Sequence, residues 1–175
     1  MPKDSIALIG FMATGKSVVG KALKDHLGKK YNFIETDLLI VKMAGKSIPR
    51  IFSEDGEALF REYELKACKE VAQQKKSIIS CGGGVVLNKE NIEILKQTCQ
   101  IVLLTASPEE IYNRAMKDGE ENRPIIDKED PYKEIERILL YREPYYKSAA
   151  EIIIDTTEKS IERIVAEILT QTKLL

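Results

Sequence analysis

A lysine long enough to reach a polyphosphate and a hydroxyl able to bind a hard divalent cation stand side by side as Lys16 and Ser17. They end the run Gly10-Phe11-Met12-Ala13-Thr14-Gly15-Lys16-Ser17, the G-x-x-x-x-G-K-[ST] spacing of a phosphate-binding loop. A short apolar run, Ile6–Ile9, precedes it and reads as a buried strand. From Val18 to Leu27 a helical period sets Val19, Ala22, Leu23 and Leu27 on one face. Strand, loop and helix in that order aim backbone N–H groups and a positive helix end at one point, which suits a nucleotide's phosphates with Mg²⁺ on Ser17.

Other groups have the chemistry to complete such a site. Glu35 and Asp37 end a second β-rich run, where carboxylates of a parallel strand would face a metal or an acceptor hydroxyl; Asp37 could equally cap a helix beginning at Leu38. Arg61 and Glu64 stand one helical turn apart. They can form an intrahelical pair, or Arg61 can clamp a carboxylate in bidentate fashion. Gly82-Gly83-Gly84 follows Cys81, and such a run is easiest to rationalise where backbone approaches a ligand, although a tight turn would use one or two of these glycines. Arg142 stands two residues before Pro144, which is expected to interrupt its helix. The polar stretch Lys117–Asp130, holding Gly119 and Pro124, is either a surface loop or a lid that carries Arg123 onto a transferring phosphate.

These groups need a frame. Five β-rich runs (Ile6–Ile9, Asn32–Glu35, Ser77–Cys81, Gln100–Leu104 and Glu151–Ile154) alternate with segments of helical period, which predicts an α/β fold with a parallel sheet covered on both faces. Asn88, Ser107 and Asp130 are candidate helix N-caps, and Thr156 or Thr157 is one for the last helix. At 175 residues one domain is expected. With 27 Lys+Arg against 28 Asp+Glu, no global field favours nucleic acid or membrane. No export signal or spanning segment is expected. Cys68, Cys81 and Cys99 have neither pairing nor zinc spacing, and reduced thiols in a cytoplasmic protein are the default. A single histidine, His26, argues against a metal cluster and a Ser-His-Asp hydrolase. Asn88-Lys89-Glu90-Asn91 lacks the guanine signature Asn-Lys-x-Asp, which disfavours a GTPase.

Taken together the motifs resemble the shikimate kinase family. The likeness runs through the phosphate loop, Glu35-Thr36-Asp37, Ile51-Phe52 before Gly56-Glu57-Ala58-Leu59-Phe60-Arg61-Glu62-Tyr63-Glu64, Gly82-Gly83-Gly84, Arg123-Pro124 and Arg142-Glu143-Pro144-Tyr145-Tyr146. It implies a three-layer P-loop kinase fold over residues 1–175, a five-stranded parallel sheet flanked by helices, with a substrate-binding region at about 36–64 and a lid at about 117–130. It implies transfer of the ATP γ-phosphate to the 3-hydroxyl of shikimate, on the route to chorismate and aromatic amino acids. Ala13, Thr14, Gly15, Lys16, Ser17, Val18, Arg114 and Arg123 would then meet the nucleotide, with Ser17 and Glu35 on Mg²⁺. Asp37, Arg61, Glu64, Gly82, Gly83, Gly84 and Arg142 would meet shikimate, and Lys16, Asp37 and Arg123 would serve catalysis. A cytoplasmic monomer without nucleic-acid or membrane partners is expected. Two positions depart from the family pattern. Ala13 replaces a common third loop glycine, tolerable if its dihedral is ordinary, and Glu35 replaces a common Asp. The alternatives are a gluconate-kinase-like enzyme of the same fold, or a nucleotide-binding regulatory module without catalysis.

Overall fold

Parallel strands β1 (Ser5–Ile9), β2 (Asn32–Glu35), β3 (Ser77–Ser80), β4 (Cys99–Thr105) and β5 (Ile152–Asp155) form one sheet in the order β2-β3-β1-β4-β5. Every strand boundary falls within one residue of the run read from the sequence. The structure, a computed structural model, describes residues 3–118, 129–172 and 174. The expected lid, with Arg123, therefore lies largely outside the described residues.

Helices α1 (Lys16–Leu27), α2 (Thr36–Ala44), α3 (Ile48–Arg50), α4 (Glu57–Val71), α5 (Lys89–Lys96), α6 (Pro108–Asp118), α7 (Pro131–Ala149) and α8 (Ile161–Gln171) connect and cover the strands. The side-chain period of two divides the core into layers. Ile6, Leu8, Val102 and Leu104 pack on one face with Val19 and Leu23 of α1 and Ile164 and Ile168 of α8. Ala7, Ile9, Ile101 and Leu103 pack on the other with Cys68, Val71, Leu95 and Ile111. A third cluster, Ile40, Ile51, Phe60 and Ala67, fastens α2 and a π-helical turn, Ile51–Asp55, to α4. With β1 central, the loops after β1, β2 and β3 open at the same edge of the sheet, the crevice in which open α/β sheets bind ligands.

Side chains cap three helices as expected: Asn88, Ser107 and Asp130 accept from the backbone N–H groups of Glu90, Glu110 and Lys133. Two readings are corrected. The last helix is capped by Ser160, which accepts from the Arg163 N–H, while Thr156 is wholly buried and bonded elsewhere. Pro144 does not interrupt α7, which runs through it. Pro144 and Leu140, whose carbonyl loses its helical donor to the proline, are both exposed residues, so the proline removes no hydrogen bond from the core. All three cysteines are free and buried, and burial pushes the Cys68 thiol up to about 12 and Cys99 to about 11. No described helix is long and apolar enough to cross a membrane.

Candidate active site

The phosphate loop bends where only glycine fits. At Gly10, with φ 145°, a Cβ would lie 2.3 Å from the Leu104 carbonyl oxygen, and Gly15 has φ 100°. Ala13 does not keep an ordinary dihedral: its φ is 58°, in the left-handed region. Neighbours hold this stretch in place. Arg114 donates from Nη1 to the Ala13 carbonyl at 3.1 Å and from Nη2 to the Thr156 carbonyl at 3.0 Å. Thr156 Oγ1 lies 3.0 Å from the Thr14 carbonyl and 2.9 Å from that of Thr105, and Thr14 donates to the Phe11 carbonyl at 2.8 Å.

Ala13→Gly should therefore remove a steric cost of roughly 1–2 kcal/mol, against about 0.5–1 kcal/mol of added unfolded-chain entropy. A net gain of up to about 1 kcal/mol in urea unfolding is expected. A net loss would mean that the Ala13 methyl, which packs against the core, outweighs the strain.

Lys16 opens α1 and its Nζ bridges the Gly10 and Phe11 carbonyls at 2.8 Å each. No side chain caps this helix, so its first-turn N–H groups remain available to an anion, with Val18 half exposed beside them. Ser17 donates to the Glu35 carboxylate and lies 3.5 Å from Ser80 Oγ. The extra methylene of Glu35 is thus no obstacle, since the carboxylate reaches Ser17. A hydroxyl and a carboxylate form an all-oxygen set suited to a hard cation that keeps most of its waters and binds phosphates.

Beside the loop lies a cavity of about 410 Å³. Asp37, Arg61, Glu64, Arg142 and all three consecutive glycines line it, so the structure brings together the residues expected to meet a substrate. Asp37 stands in the first turn of α2 but caps nothing. Its carboxylate is open to the cavity yet recessed among protein, and this desolvation holds it above the usual carboxylate range, against the pull of Lys16 and Arg61. Arg61 forms the intrahelical pair and also borders the cavity. Its Nη1 donates to Glu64 at 2.9 Å and to the Gly84 carbonyl at 3.3 Å while the guanidinium lines the cavity. Glu64 is only 1% exposed, and burial pushes its carboxyl up, opposed chiefly by Arg61.

The glycine run has a physical reason that sequence alone left open. A Cβ on Gly82 would meet Asp37 Oδ1 at 2.7 Å, on Gly83 it would meet Arg142 Nη1 at 3.4 Å, and on Gly84 it would meet both terminal nitrogens of Arg61 at 2.7 Å. The floor of the cavity is bare backbone because the Asp37, Arg142 and Arg61 side chains lie on it.

Several residues at the cavity were given no site role by the sequence reading. Phe52 and Phe60, ring centroids 4.6 Å apart, form an apolar wall with Ile48 and Ile138. Phe52 stays 40% exposed because the π-helical turn presents it to the cavity. Tyr146 is buried and donates from Oη to the Gly83 carbonyl at 2.5 Å, tying α7 to the glycine floor. Thr156 and Asn91 had no legible signal either. A larger cavity of about 670 Å³, bounded by Leu103, Ile111, Leu139 and Leu140, lies between β4, α6 and α7 and gathers none of the expected substrate residues.

Comparison with known proteins agrees with this fold. A family model described as shikimate kinase matches residues 12–173. A shikimate kinase of Caldanaerobacter subterraneus subsp. tengcongensis is 42% identical over 165 residues, 94% of each chain. The solved shikimate kinase of Acinetobacter baumannii in complex with shikimate superposes with a TM-score of 0.88 at 32% identity, covering 95% of this chain and 91% of that one. A gluconokinase from Sinorhizobium meliloti superposes with a TM-score of 0.58 at 16% identity over 96% of this chain and 90% of that one, a likeness of fold alone.

Proposed function

Because the chain belongs to the shikimate kinase family, we infer that it phosphorylates the 3-hydroxyl of shikimate with ATP, giving shikimate 3-phosphate and ADP on the route to chorismate and the aromatic amino acids. The observation that carries the reading is the convergence of Asp37, Arg61 and Arg142 on one cavity beside the phosphate loop. Two guanidinium groups suit the ring carboxylate, and the Phe52–Phe60 wall suits the carbocycle.

Phosphoryl transfer asks a protein for alignment and charge neutralisation more than for covalent chemistry. Arg61 and Arg142 hold the carboxylate and so point the 3-hydroxyl toward the loop. Asp37 orients that hydroxyl and accepts its proton as the oxygen–phosphorus bond forms and the bond to the ADP oxygen breaks. Lys16 exchanges its loop carbonyls for phosphate oxygens and offsets the charge that develops on them. Ser17 and Glu35 would hold Mg²⁺, which would supply charge neutralisation to the phosphates when bound. Arg114, bonded to Ala13 and Thr156, borders the loop on the nucleotide side. The protein acts as a cytoplasmic monomer in this reading.

ADP release should require shikimate and a divalent cation together, and chelation should abolish it. Gluconate at the same concentration should support none. Equal turnover with gluconate would defeat the substrate assignment, and ADP release without any acceptor would defeat the kinase reading.

A further inference from the structure

Asn91, on α5, is wholly buried and takes no part in the chemistry above. Its Nδ2 donates to Glu64 Oε1 at 3.4 Å and to the Val85 carbonyl at 3.1 Å, while its Oδ1 is buried with no hydrogen-bond partner among the described residues. Glu64 Oε1 is the same oxygen that accepts from Arg61. We infer that Asn91 is a positioning residue for substrate binding, its amide holding the Glu64 carboxylate in the orientation that aims the Arg61 guanidinium along the glycine floor into the cavity.

The unmatched Oδ1 favours this role over a packing role. A buried amide with an unsatisfied acceptor costs stability, a cost that an apolar side chain such as leucine would not carry. What leucine cannot supply is the donor that touches Glu64. A hydrogen bond to a carboxylate favours its charged form, and only charged Glu64 can anchor Arg61 as an ion pair. The charged or titratable groups facing Glu64 are Arg61 and Cys68 on α4, Asp37 on α2, Arg142 on α7 and Cys81 after β3, and all are common to parent and variants.

The inference rests on Arg61 as the carboxylate clamp, so Arg61→Lys is measured alongside Asn91→Leu and Asn91→Asp in the full chain. For Asn91→Leu, shikimate KM should rise about tenfold, the worth of one hydrogen bond to a charged group. ATP KM and kcat should stay within about twofold, and Tm should fall only modestly, because the Val85 carbonyl loses its donor. For Asn91→Asp the introduced carboxylate raises the Glu64 pKa further. Shikimate affinity is retained above that pKa and lost as pH falls through it, so the acid limb of 1/KM should move to higher pH than in the parent. Should the leucine variant fail to fold, the aspartate pH profile decides alone. An unmoved acid limb, or shikimate and ATP KM values rising together, would make Asn91 a structural tie to Val85 only. If Arg61→Lys weakens shikimate binding while the Asn91 variants do not, this inference fails and the clamp stands; if Arg61→Lys binds shikimate normally, both fail.

Discussion

Asp37→Asn is expected to lower kcat by about 10²- to 10⁴-fold, the contribution of a positioned proton acceptor, while the protein melts no lower than the parent. The two halves of this expectation come from the same feature. Desolvation at the cavity wall holds the Asp37 carboxyl above its ordinary value, so the folded state disfavours its ionised form. A carboxyl raised on folding binds more protons in the folded state, and stability falls as pH rises from the ordinary carboxylate range through the raised value. Above the raised value the penalty is present, lessened by solvent access to the cavity, and the amide does not carry it. Lost turnover with retained Tm is the signature of a group kept for chemistry at the expense of stability. Steady-state kinetics and calorimetry on one preparation test this. Near-normal turnover would leave Asp37 as a group that contacts substrate without taking its proton.

Gly84→Ala should raise shikimate KM at least about tenfold, as Arg61→Ala should by about 10- to 100-fold, because each costs a charged hydrogen-bonded contact. The glycine change is the more informative. Gly84 has φ −94° and ψ 6°, a backbone alanine accepts without strain, so folding does not require glycine here. The added methyl would lie 2.7 Å from Nη1 and Nη2 of Arg61, and the guanidinium is the part able to move. The variant should keep its Tm, its ATP KM and the Glu64–Arg61 charge pair, and lose only the aim of the fork. Arg61→Ala additionally strands Glu64, 1% exposed, without its cation, so it should destabilise as well as weaken binding. Unchanged shikimate KM in Gly84→Ala would mean that Arg61 binds equally well from a displaced position.

Much of this molecule was legible because local chemistry repeats along the chain. The alternation of Ile6 and Leu8 against Ala7 and Ile9 states which residues face which layer. The loop glycines, the cap residues Asn88, Ser107 and Asp130, and the Arg61–Glu64 spacing are all decided within a few residues. Misreadings arose where a local rule met a tertiary solution. Pro144 should end a helix, but it stands on the exposed face of α7, where the lost hydrogen bond does not fall in the core. Ala13 should avoid φ 58°, but Arg114 and Thr156, more than 90 residues away, hold the loop there.

By itself, the sequence determined the β-α alternation, the phosphate loop and the identity of the reactive side chains, since periodicity, turn chemistry and residue type act over short stretches. Only the tertiary structure decided which of those side chains meet. The order β2-β3-β1-β4-β5 brings the ends of β1, β2 and β3 to one edge. Long-range packing then lays Asp37, Arg142 and Arg61 over Gly82, Gly83 and Gly84, and sets Asn91 behind Glu64. Those contacts join α2, α4, α5 and α7 across the chain, and no local propensity encodes a distance between residues so far apart in sequence.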